Sequence, residues 1–156
     1  MRQRLPVLLA LLVLGGLAAW WLLRPRPTDE ERLYRLLTEI SRAVELRSPA
    51  GVLRHLSESY QDAYGNTKRT LTQQVYGGLR SVERLTVVPE ITALKVSGDT
   101  ATMQVHARVW FGQPGSAGGT DLTVNLRLAR ERGRWLVIWA EGWEPAEEAY
   151  MNQGAP

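Results

Sequence analysis

Cysteine is missing from this sequence of 156 residues, and histidine occurs only twice. The absence of cysteine excludes disulfide bonds, a thiol nucleophile, a lipid-modified cysteine, and every zinc or iron–sulfur site with thiolate ligands. Two histidines alone are too few for a histidine-rich catalytic metal site. We therefore expect neither a metal nor a cofactor, and one folded domain at this chain length.

Acidic residues are missing from the first 27 residues, which hold four of the 19 basic residues. The rest of the chain carries 15 basic residues against 16 acidic ones and is close to neutral. A protein that binds nucleic acid carries its basic excess on the folded domain. The sequence therefore predicts no nucleic-acid partner, although its formal net charge is +3.

Charged residues are also missing from residues 5–23, an apolar run of 19 residues. As a helix this run would span roughly 28 Å, close to the hydrocarbon thickness of a bilayer. Trp20 and Trp21 suit a membrane interface. A cleaved signal peptide is the alternative, with small residues at 16–19 as the cleavage region. The run continues past them and meets Arg24, which favours a retained anchor.

The segment between this run and the domain consists of Arg24, Pro25, Arg26 and Pro27. Proline-rich chain is extended at about 3 Å per residue, so we expect the domain to begin about 10 Å from the membrane surface. Basic residues on the two sides of the run nearly balance, and a short N-terminal tail left inside is the simpler topology. The sequence thus predicts a single-pass protein of the bacterial inner membrane with a periplasmic C-terminal domain.

The domain is expected over residues 28–144, followed by a tail at 145–156. Thr28 and Glu31 have the spacing of a capping box, and an apolar stripe at helical spacing follows them. Ser48 and Pro49 indicate the start of a short second helix. Residues 60–66 indicate a turn, and a third helix is expected near residues 67–79.

From residue 82 the apolar residues repeat with a period of two, which is typical of strands. Residues 82–88 and 91–96 form either one strand interrupted at Pro89 or two short strands. Three further strands are expected at residues 100–111, 121–130 and 135–143. Helices followed by an antiparallel meander of strands predict an α+β fold.

Four short stretches resemble members of the NTF2-like (SnoaL-like) superfamily: residues 29–33, 56–62, 96–102 and 132–137. The resemblance covers roughly residues 28–143. It implies a cone of three N-terminal helices packed on a curved antiparallel sheet. The stretches are capping, turn and strand signatures, so they bear on the fold and say little about function. The superfamily includes enzymes, ligand binders and anchored scaffold domains of bacterial envelope machines, and the order of anchor and domain is most similar to the last group.

Histidines and a turn aspartate supply the first candidates for chemistry. His106 belongs to the polar face of its strand and is expected on the surface, and His55 is expected at the edge of a short helix. Asp62 could form an acid–base set with Tyr60 or Tyr64. The alternative, which we favour, is that Asp62 bonds to the backbone of its own turn.

A carboxylate inside the cone would come from Glu141 on the last strand, but no histidine lies at a diagnostic spacing from it. Asp62, Glu141 and Tyr60 are therefore candidates for acid–base chemistry on a small apolar substrate or ligand. No catalytic residue is assigned.

The last strand is apolar on both faces, whereas the helices of such a cone cover only one face. Leu136 and Ile138, joined by Trp110, are therefore predicted to form a partner surface. Four arginines surround the turn before this strand and are either solvated or in contact with anionic lipid headgroups. They are Arg127, Arg130, Arg132 and Arg134.

Together these patterns predict a membrane-anchored, extracytoplasmic binding module without catalytic activity, as a homodimer or as a subunit of an envelope complex. An anchored SnoaL-like enzyme, or a binder of a small apolar ligand, is the alternative. The lining of the cone distinguishes them. Buried polar groups that converge near Asp62 or Glu141 favour the enzyme, and a wholly apolar interior favours the scaffold.

Overall fold

The computed structural model of the protein describes residue 20 and residues 27–81, 84–111 and 119–143. The expected anchor at residues 5–23, apart from Trp20, lies outside this part of the chain, as do Arg24, Arg26 and the tail at 145–156. No helix within the described ranges is long and apolar enough to cross a membrane.

Three helices and five strands follow one another in the described chain. They are α1 (Asp29–Glu45), α2 (Pro49–Leu53), β1 (Leu56–Asp62), α3 (Lys68–Ser81), β2 (Leu85–Ser97), β3 (Thr100–Phe111), β4 (Gly119–Glu131) and β5 (Arg134–Glu141). The strands form one sheet in the order β1-β5-β4-β3-β2. Strands β2 to β5 pair antiparallel, and β1 pairs parallel to β5. The α+β layout is confirmed, but the prediction of three helices followed by a wholly antiparallel sheet is corrected, because β1 lies between α2 and α3 and pairs parallel to β5.

The predicted helix starts are confirmed by their side-chain contacts. The backbone N–H of Glu31 donates to the Thr28 hydroxyl (3.2 Å), and the Thr28 N–H donates to the Glu31 carboxylate (3.1 Å). The Ser48 hydroxyl accepts from the N–H of Gly51 at the start of α2. These contacts satisfy N–H groups that the first turn of a helix leaves free.

Strand β1 corrects the prediction that residues 60–66 form only a turn. Tyr60 and Asp62 belong to the strand, and the turn begins after Asp62. Residues 56–62 do not alternate regularly between polar and apolar types, so the sequence pattern did not predict a strand. β1 tolerates this irregularity because it is an edge strand that pairs only with β5 within the sheet. Pro89 does not interrupt β2, since proline is tolerated on an edge strand, where one backbone N–H need not be paired.

The inner face of the sheet, defined as the face that the helices cover, carries the hydrophobic core. Leu33 of α1 and Leu128 of β4 are both 0% exposed, and Met103 and Val137 are almost as deeply buried. Burial of large aliphatic side chains contributes roughly 1.5–3 kcal/mol each to folding. The core therefore lies between α1 and the middle strands.

A cluster of polar contacts fixes the start of α1 on the sheet. The Asp29 carboxylate accepts from Arg130 Nη2 (2.6 Å) and from the indole N–H of Trp135 (3.3 Å). The Arg130 guanidinium lies 4.8 Å from the centre of the Trp135 ring. The hydrogen bond from Arg130 holds the pKa of Asp29 below its usual range. The helix therefore enters the fold at a defined point on β4 and β5.

Candidate functional site

The outer face of the sheet, on the side away from the helices, carries the even-numbered side chains of β3, as the alternation predicted. His106 is partly exposed there, and its Nε2 atom lies 3.6 Å from a carboxylate oxygen of Asp121. Asp121 accepts a hydrogen bond of 2.7 Å from Arg108, which lowers the pKa of its carboxyl group. The prediction of a surface histidine at 106 is confirmed.

A row of hydrogen-bonded side chains crosses four strands of the outer face. The Thr92 hydroxyl donates to the Gln104 side-chain oxygen (3.0 Å), and Gln104 Nε2 donates to Asn125 Oδ1 (3.1 Å). Asn125 Nδ2 donates to the Glu141 carboxylate (2.9 Å). Every donor in this amide row points toward β5, so the row ends on the negative charge of Glu141.

A second row lies beside the first and carries positive charge. The strand register places Lys95 opposite Thr102, Thr102 opposite Arg127, and Arg127 opposite Trp139. The Arg127 guanidinium lies 4.2 Å from the centre of the Trp139 ring, a cation–π contact that orients the cation. We call Lys95, Thr102, Arg127 and Trp139 the cationic row, after the positive charges of Lys95 and Arg127. The two rows line an open groove of about 430 Å³.

A bulge in β5 changes which residues of this strand face outward. Leu128 pairs with Val137, whereas the neighbouring Arg127 pairs with Trp139, so Ile138 is an extra residue. Trp139 therefore joins the outer face and Ala140 is buried. Trp135 is buried on the inner face, so Trp135 and Trp139 lie on opposite faces, because strict alternation does not continue through a bulge.

The three residues predicted as one partner surface do not form one surface. Leu136 pairs with Ala129, which pairs with Thr100 at the start of β3. Trp110 lies ten residues further along β3, about 33 Å away at the rise of an extended strand. Leu136 lies instead beside Trp139. We call these two residues the outer patch.

Trp110 occupies the opposite end of the outer face. Its indole ring lies against the backbone of Gly119, where an added Cβ atom would come within 2.8 Å of the ring nitrogen. The Arg108 guanidinium lies 5.9 Å from the centre of the same ring. Trp110 thus belongs to a separate surface and contributes nothing to the outer patch.

Glu141 does not lie inside the cone. Its carboxylate accepts the last hydrogen bond of the amide row and lines the groove on the outer face. The candidate role as a carboxylate of the cone is therefore corrected. The bulge before Ala140 reverses the inward and outward positions at the end of β5, and this reversal has no marker in the sequence.

Asp62 is 6% exposed and uses both carboxylate oxygens within its own turn. Its Oδ1 atom accepts from the backbone N–H groups of Tyr64 (2.9 Å) and Asn66 (2.7 Å), and Oδ2 accepts from the Asn66 side chain (3.0 Å). The interpretation of Asp62 as a turn residue agrees with these contacts. A carboxylate bound in this way has little capacity left for a substrate proton.

Tyr60 lies beside Asp62 and is buried in the core. Burial, followed by the charge of the Asp62 carboxylate, raises the pKa of its phenol. The indole N–H of Trp143 is buried beside this phenol and is directed at its oxygen, which opposes part of the rise in the pKa. The interior is therefore not wholly apolar, because these two polar groups lie together in it.

His55 is 5% exposed and lies in the turn after α2, so the prediction of a residue at the edge of a helix was wrong. Arg54 Nε donates to His55 Nε2 (3.1 Å), which requires that nitrogen to be unprotonated. Burial, the largest cause, lowers the pKa of His55. A backbone hydrogen bond fixes the position of His55, because its carbonyl oxygen accepts from the N–H of Val137 on β5.

The four arginines near the β4–β5 turn do not form one cluster. Arg127 lies in the cationic row, and Arg130 is held by Asp29. Arg132 and Arg134 are exposed at the turn. A shared contact of all four with lipid headgroups is therefore excluded in this conformation, because their side chains belong to different faces.

Sequence reasoning missed the groove, since it depends on residues from four strands. Gln104 and Asn125 occupy polar positions of neighbouring strands, and this pairing was a usable signal. Lys95 and Trp139 gave no such signal. Their places depend on bulges in β2 and β5, which shift the register by one residue.

Comparison with known proteins identifies the fold. No protein-family model matches the chain, and no curated protein matches it. Solved structures do match. One is an NTF2-like protein of unknown function from Pseudomonas putida, 20% identical, with a TM-score of 0.58 and coverage of 69% of this chain and 80% of that one. The chain has an NTF2-like fold.

Two further solved structures support the same fold. A putative scytalone dehydratase from Novosphingobium aromaticivorans is 10% identical, with a TM-score of 0.62 and coverage of 74% of this chain and 88% of that one. A domain of unknown function with a cystatin-like fold from Nostoc punctiforme is 15% identical, with a TM-score of 0.62 and coverage of 83% and 86%. At these identities the likeness concerns the fold alone.

Proposed function

We propose that this protein is a membrane-anchored, extracytoplasmic binding module without catalytic activity. It associates through the outer patch, either with a second copy of itself or with a protein of the bacterial envelope. The observation that carries the proposal is the position of Leu136 and Trp139, two large apolar residues side by side on the face that the helices leave open. Both side chains are partly exposed, and partly exposed apolar groups next to polar ones are typical of association sites.

The placement of the acidic candidates supports binding over catalysis. The Asp62 carboxylate is bound within its own turn, and the Glu141 carboxylate accepts from Asn125 on the outer face. General acid–base catalysis requires a group within hydrogen-bond reach of the substrate and free to exchange a proton. The Asp62 carboxylate is occupied within its turn, and the Glu141 carboxylate lies outside the cone in which the enzyme alternative places its chemistry.

Sedimentation of the detergent-extracted full chain tests the association. Leu136→Asp should weaken the association by at least about tenfold, or 1.4 kcal/mol, because a charge would be buried in the interface. Tyr34→Asp is the matched control, since Tyr34 is 53% exposed on α1, on the other side of the sheet. Unchanged association of a folded Leu136→Asp variant would refute the proposed surface.

The anchor is tested separately by washing membranes with alkaline carbonate. The uncharged run at residues 5–23 predicts that the full-length protein stays in the membrane pellet. Release of a shortened soluble form would support the cleaved signal peptide instead. This result would contradict the predicted membrane location, but it would not bear on the prediction for the outer patch.

A SnoaL-like enzyme or binder of a small apolar ligand is the second candidate, and one observation favours it. The buried phenol of Tyr60 could donate to a ligand oxygen while its own oxygen accepts from the neighbouring indole N–H of Trp143. Such a ligand would be apolar elsewhere, because the surrounding core is apolar.

The dye Nile red, an apolar molecule with one carbonyl oxygen, tests this candidate. Saturable binding that weakens about fivefold in Tyr60→Phe would favour it, because the lost hydrogen bond is worth about 1 kcal/mol. Tyr64→Phe is the matched control, since Tyr64 is exposed and should have no effect. Absence of saturable binding, or equal binding by both variants, would count against it.

A further inference from the structure

The cationic row carries two positive charges without an acidic partner. Lys95 and Arg127 are exposed, and neither forms an ion pair with any residue of the ranges 27–81, 84–111 and 119–143. Arg108, on the same face, is instead paired with Asp121 at 2.7 Å. Both unpaired cations line the groove, where they attract an anionic ligand.

The Trp139 ring determines where the charge of Arg127 lies. The guanidinium is 4.2 Å from the centre of this ring, so the cation is drawn from β4 toward β5 and away from Lys95. Two strand spacings separate Lys95 from Arg127 and three separate it from Trp139, which places the two cations roughly 10–14 Å apart along the row. This separation favours a ligand with two negative charges over one small anion.

The shape of the groove favours an extended peptide. The groove is open and crosses β2 to β5 between the cationic row and the amide row. Sites for small molecules usually enclose most of the ligand surface, which an open groove does not. In an extended peptide the first and fifth residues are about 13 Å apart and point to the same side. Acidic residues at these two positions therefore match the separation of the two cations.

The amide row offers hydrogen bonds to the backbone of such a peptide. The side-chain nitrogens of Gln104 and Asn125 each donate one hydrogen within the row, and each carries two. The second hydrogen of each has no acceptor within the described ranges, and both side chains are at least partly exposed. These hydrogens are available to the carbonyl oxygens of a bound peptide.

The same groove is poorly suited to single-stranded nucleic acid, another extended anion. Proteins that bind it stack bases on aromatic rings along a positively charged groove. Here the Arg127 guanidinium lies over the Trp139 ring, where a base would stack. The Glu141 carboxylate also lines the groove and repels phosphate groups. Two separated cations and one carboxylate favour a peptide whose acidic residues are few and spaced.

We propose that the groove binds an acidic segment of the partner protein in extended conformation. Two carboxylates of this segment, four residues apart, pair with Lys95 and Arg127, and its carbonyl oxygens accept from Gln104 and Asn125. The segment lies beside the outer patch, because Trp139 belongs to both the patch and the cationic row. The inference rests on the proposed function in assigning the segment to the partner; recognition of the segment by the groove does not.

Binding of the detergent-extracted full chain to the peptide acetyl-Glu-Ser-Thr-Ser-Glu-amide, coupled densely to a resin, tests the recognition. Lys95→Gln with Arg127→Gln should weaken retention about fivefold, as the loss of two weak ion pairs would give. Arg35→Gln with Arg69→Gln is the matched control, because it removes the same charge from exposed positions on α1 and α3. Equal weakening by both pairs of substitutions would overturn the proposal, since only the net charge would then matter.

Variation of the peptide tests the spacing of the carboxylates. Acetyl-Glu-Glu-Ser-Thr-Ser-amide has the same composition but adjacent acidic residues, and it should bind more weakly. Equal binding of this peptide, or of the neutral peptide with glutamine in both places, would contradict the assigned ion pairs. Tighter binding of an oligothymidylate of five nucleotides would assign the groove to nucleic acid and overturn the proposal.

Charge exchange keeps the test independent of folding defects. Lys95→Glu with Arg127→Glu should lose the acidic peptide and gain binding of acetyl-Lys-Ser-Thr-Ser-Lys-amide, which an unfolded variant would not do selectively. Loss of the acidic peptide without this gain would count against the assigned ion pairs.

Leu136→Asp separates this inference from the proposed function. The variant should lose association in sedimentation but still bind the acidic peptide, because Leu136 does not line the groove. If the unchanged chain fails to bind the peptide while Leu136→Asp still weakens association, the groove proposal alone is overturned. Loss of self-association in Lys95→Gln with Arg127→Gln, without peptide binding by the unchanged chain, would assign the groove to a second copy instead.

Discussion

The two faces of the sheet are made by the same strands but are stabilised in different ways. On the inner face, Leu128 and Met103 are buried under the helices, and their contacts are with the apolar core. On the outer face, Gln104 and Asn125 bond to each other in the open. The inner face thus provides the hydrophobic core, whereas the outer face presents hydrogen-bonded polar side chains at the surface.

Polar residues also differ between the two sides. Inside, Asp62 is almost fully enclosed, and both of its carboxylate oxygens are bonded within its own turn. Outside, Lys95 and Arg127 have no acidic partner in the described chain. Buried polar groups must be satisfied internally, whereas exposed charges remain available for other molecules. Because of this difference, we propose that binding takes place on the outer face.

The largest effect is expected from truncation of the core. Leu128→Ala should lower the free energy of unfolding by about 2–5 kcal/mol, because it removes buried methyl groups and leaves a cavity. Leu136→Ala, on the outer face, should cost less than about 1 kcal/mol. Urea denaturation of both variants measures the difference. Equal losses would mean that the two faces are equally buried, which would contradict the difference between them described above.

The next largest effect is expected at Asp62. Asp62→Ala should cost about 1–3 kcal/mol, because the N–H groups of Tyr64 and Asn66 lose their acceptor in a buried turn. Asp62→Asn keeps one acceptor oxygen and should cost less. A loss of any ligand binding without a loss of stability in Asp62→Ala would instead assign the carboxylate a direct role.

A smaller effect is expected within the amide row. Asn125→Ala removes one donor and one acceptor from side chains that water can reach, and should cost about 0.5–1 kcal/mol. Denaturation with urea measures this loss. A cost above that of Asp62→Ala would mean that the outer face is covered within the folded chain.

The smallest effect is a dependence of stability on pH. Because burial lowers the pKa of His55 in the folded chain, the unfolded chain binds the proton more readily. Stability is therefore fully present above the ordinary pKa of 6.5 and declines as the pH falls below it. His55→Gln should reduce this decline, which pH-dependent thermal unfolding measures. An unchanged decline in this variant would contradict the assignment.

Sequence reasoning worked best where local chemistry decides the structure. Thr28 and Glu31 cap a helix through contacts three residues apart, and the alternation in β3 follows from the geometry of any strand. It failed at Trp139, Glu141 and Tyr60. The first two depend on the bulge at Ile138 of β5, opposite Arg127 and Leu128, which no residue type marks. Tyr60 belongs to a strand that exists only because β5, more than seventy residues later, pairs with it.

The central claim, that the outer face is the working surface, is tested most directly by maleimide labelling of Leu136→Cys in native membranes. Labelling should be severalfold slower than after dissociation in detergent, because a bound copy or partner would cover the thiol. Tyr34→Cys, exposed on α1, should label equally in both states. Equally rapid labelling of Leu136→Cys before and after dissociation would contradict the account.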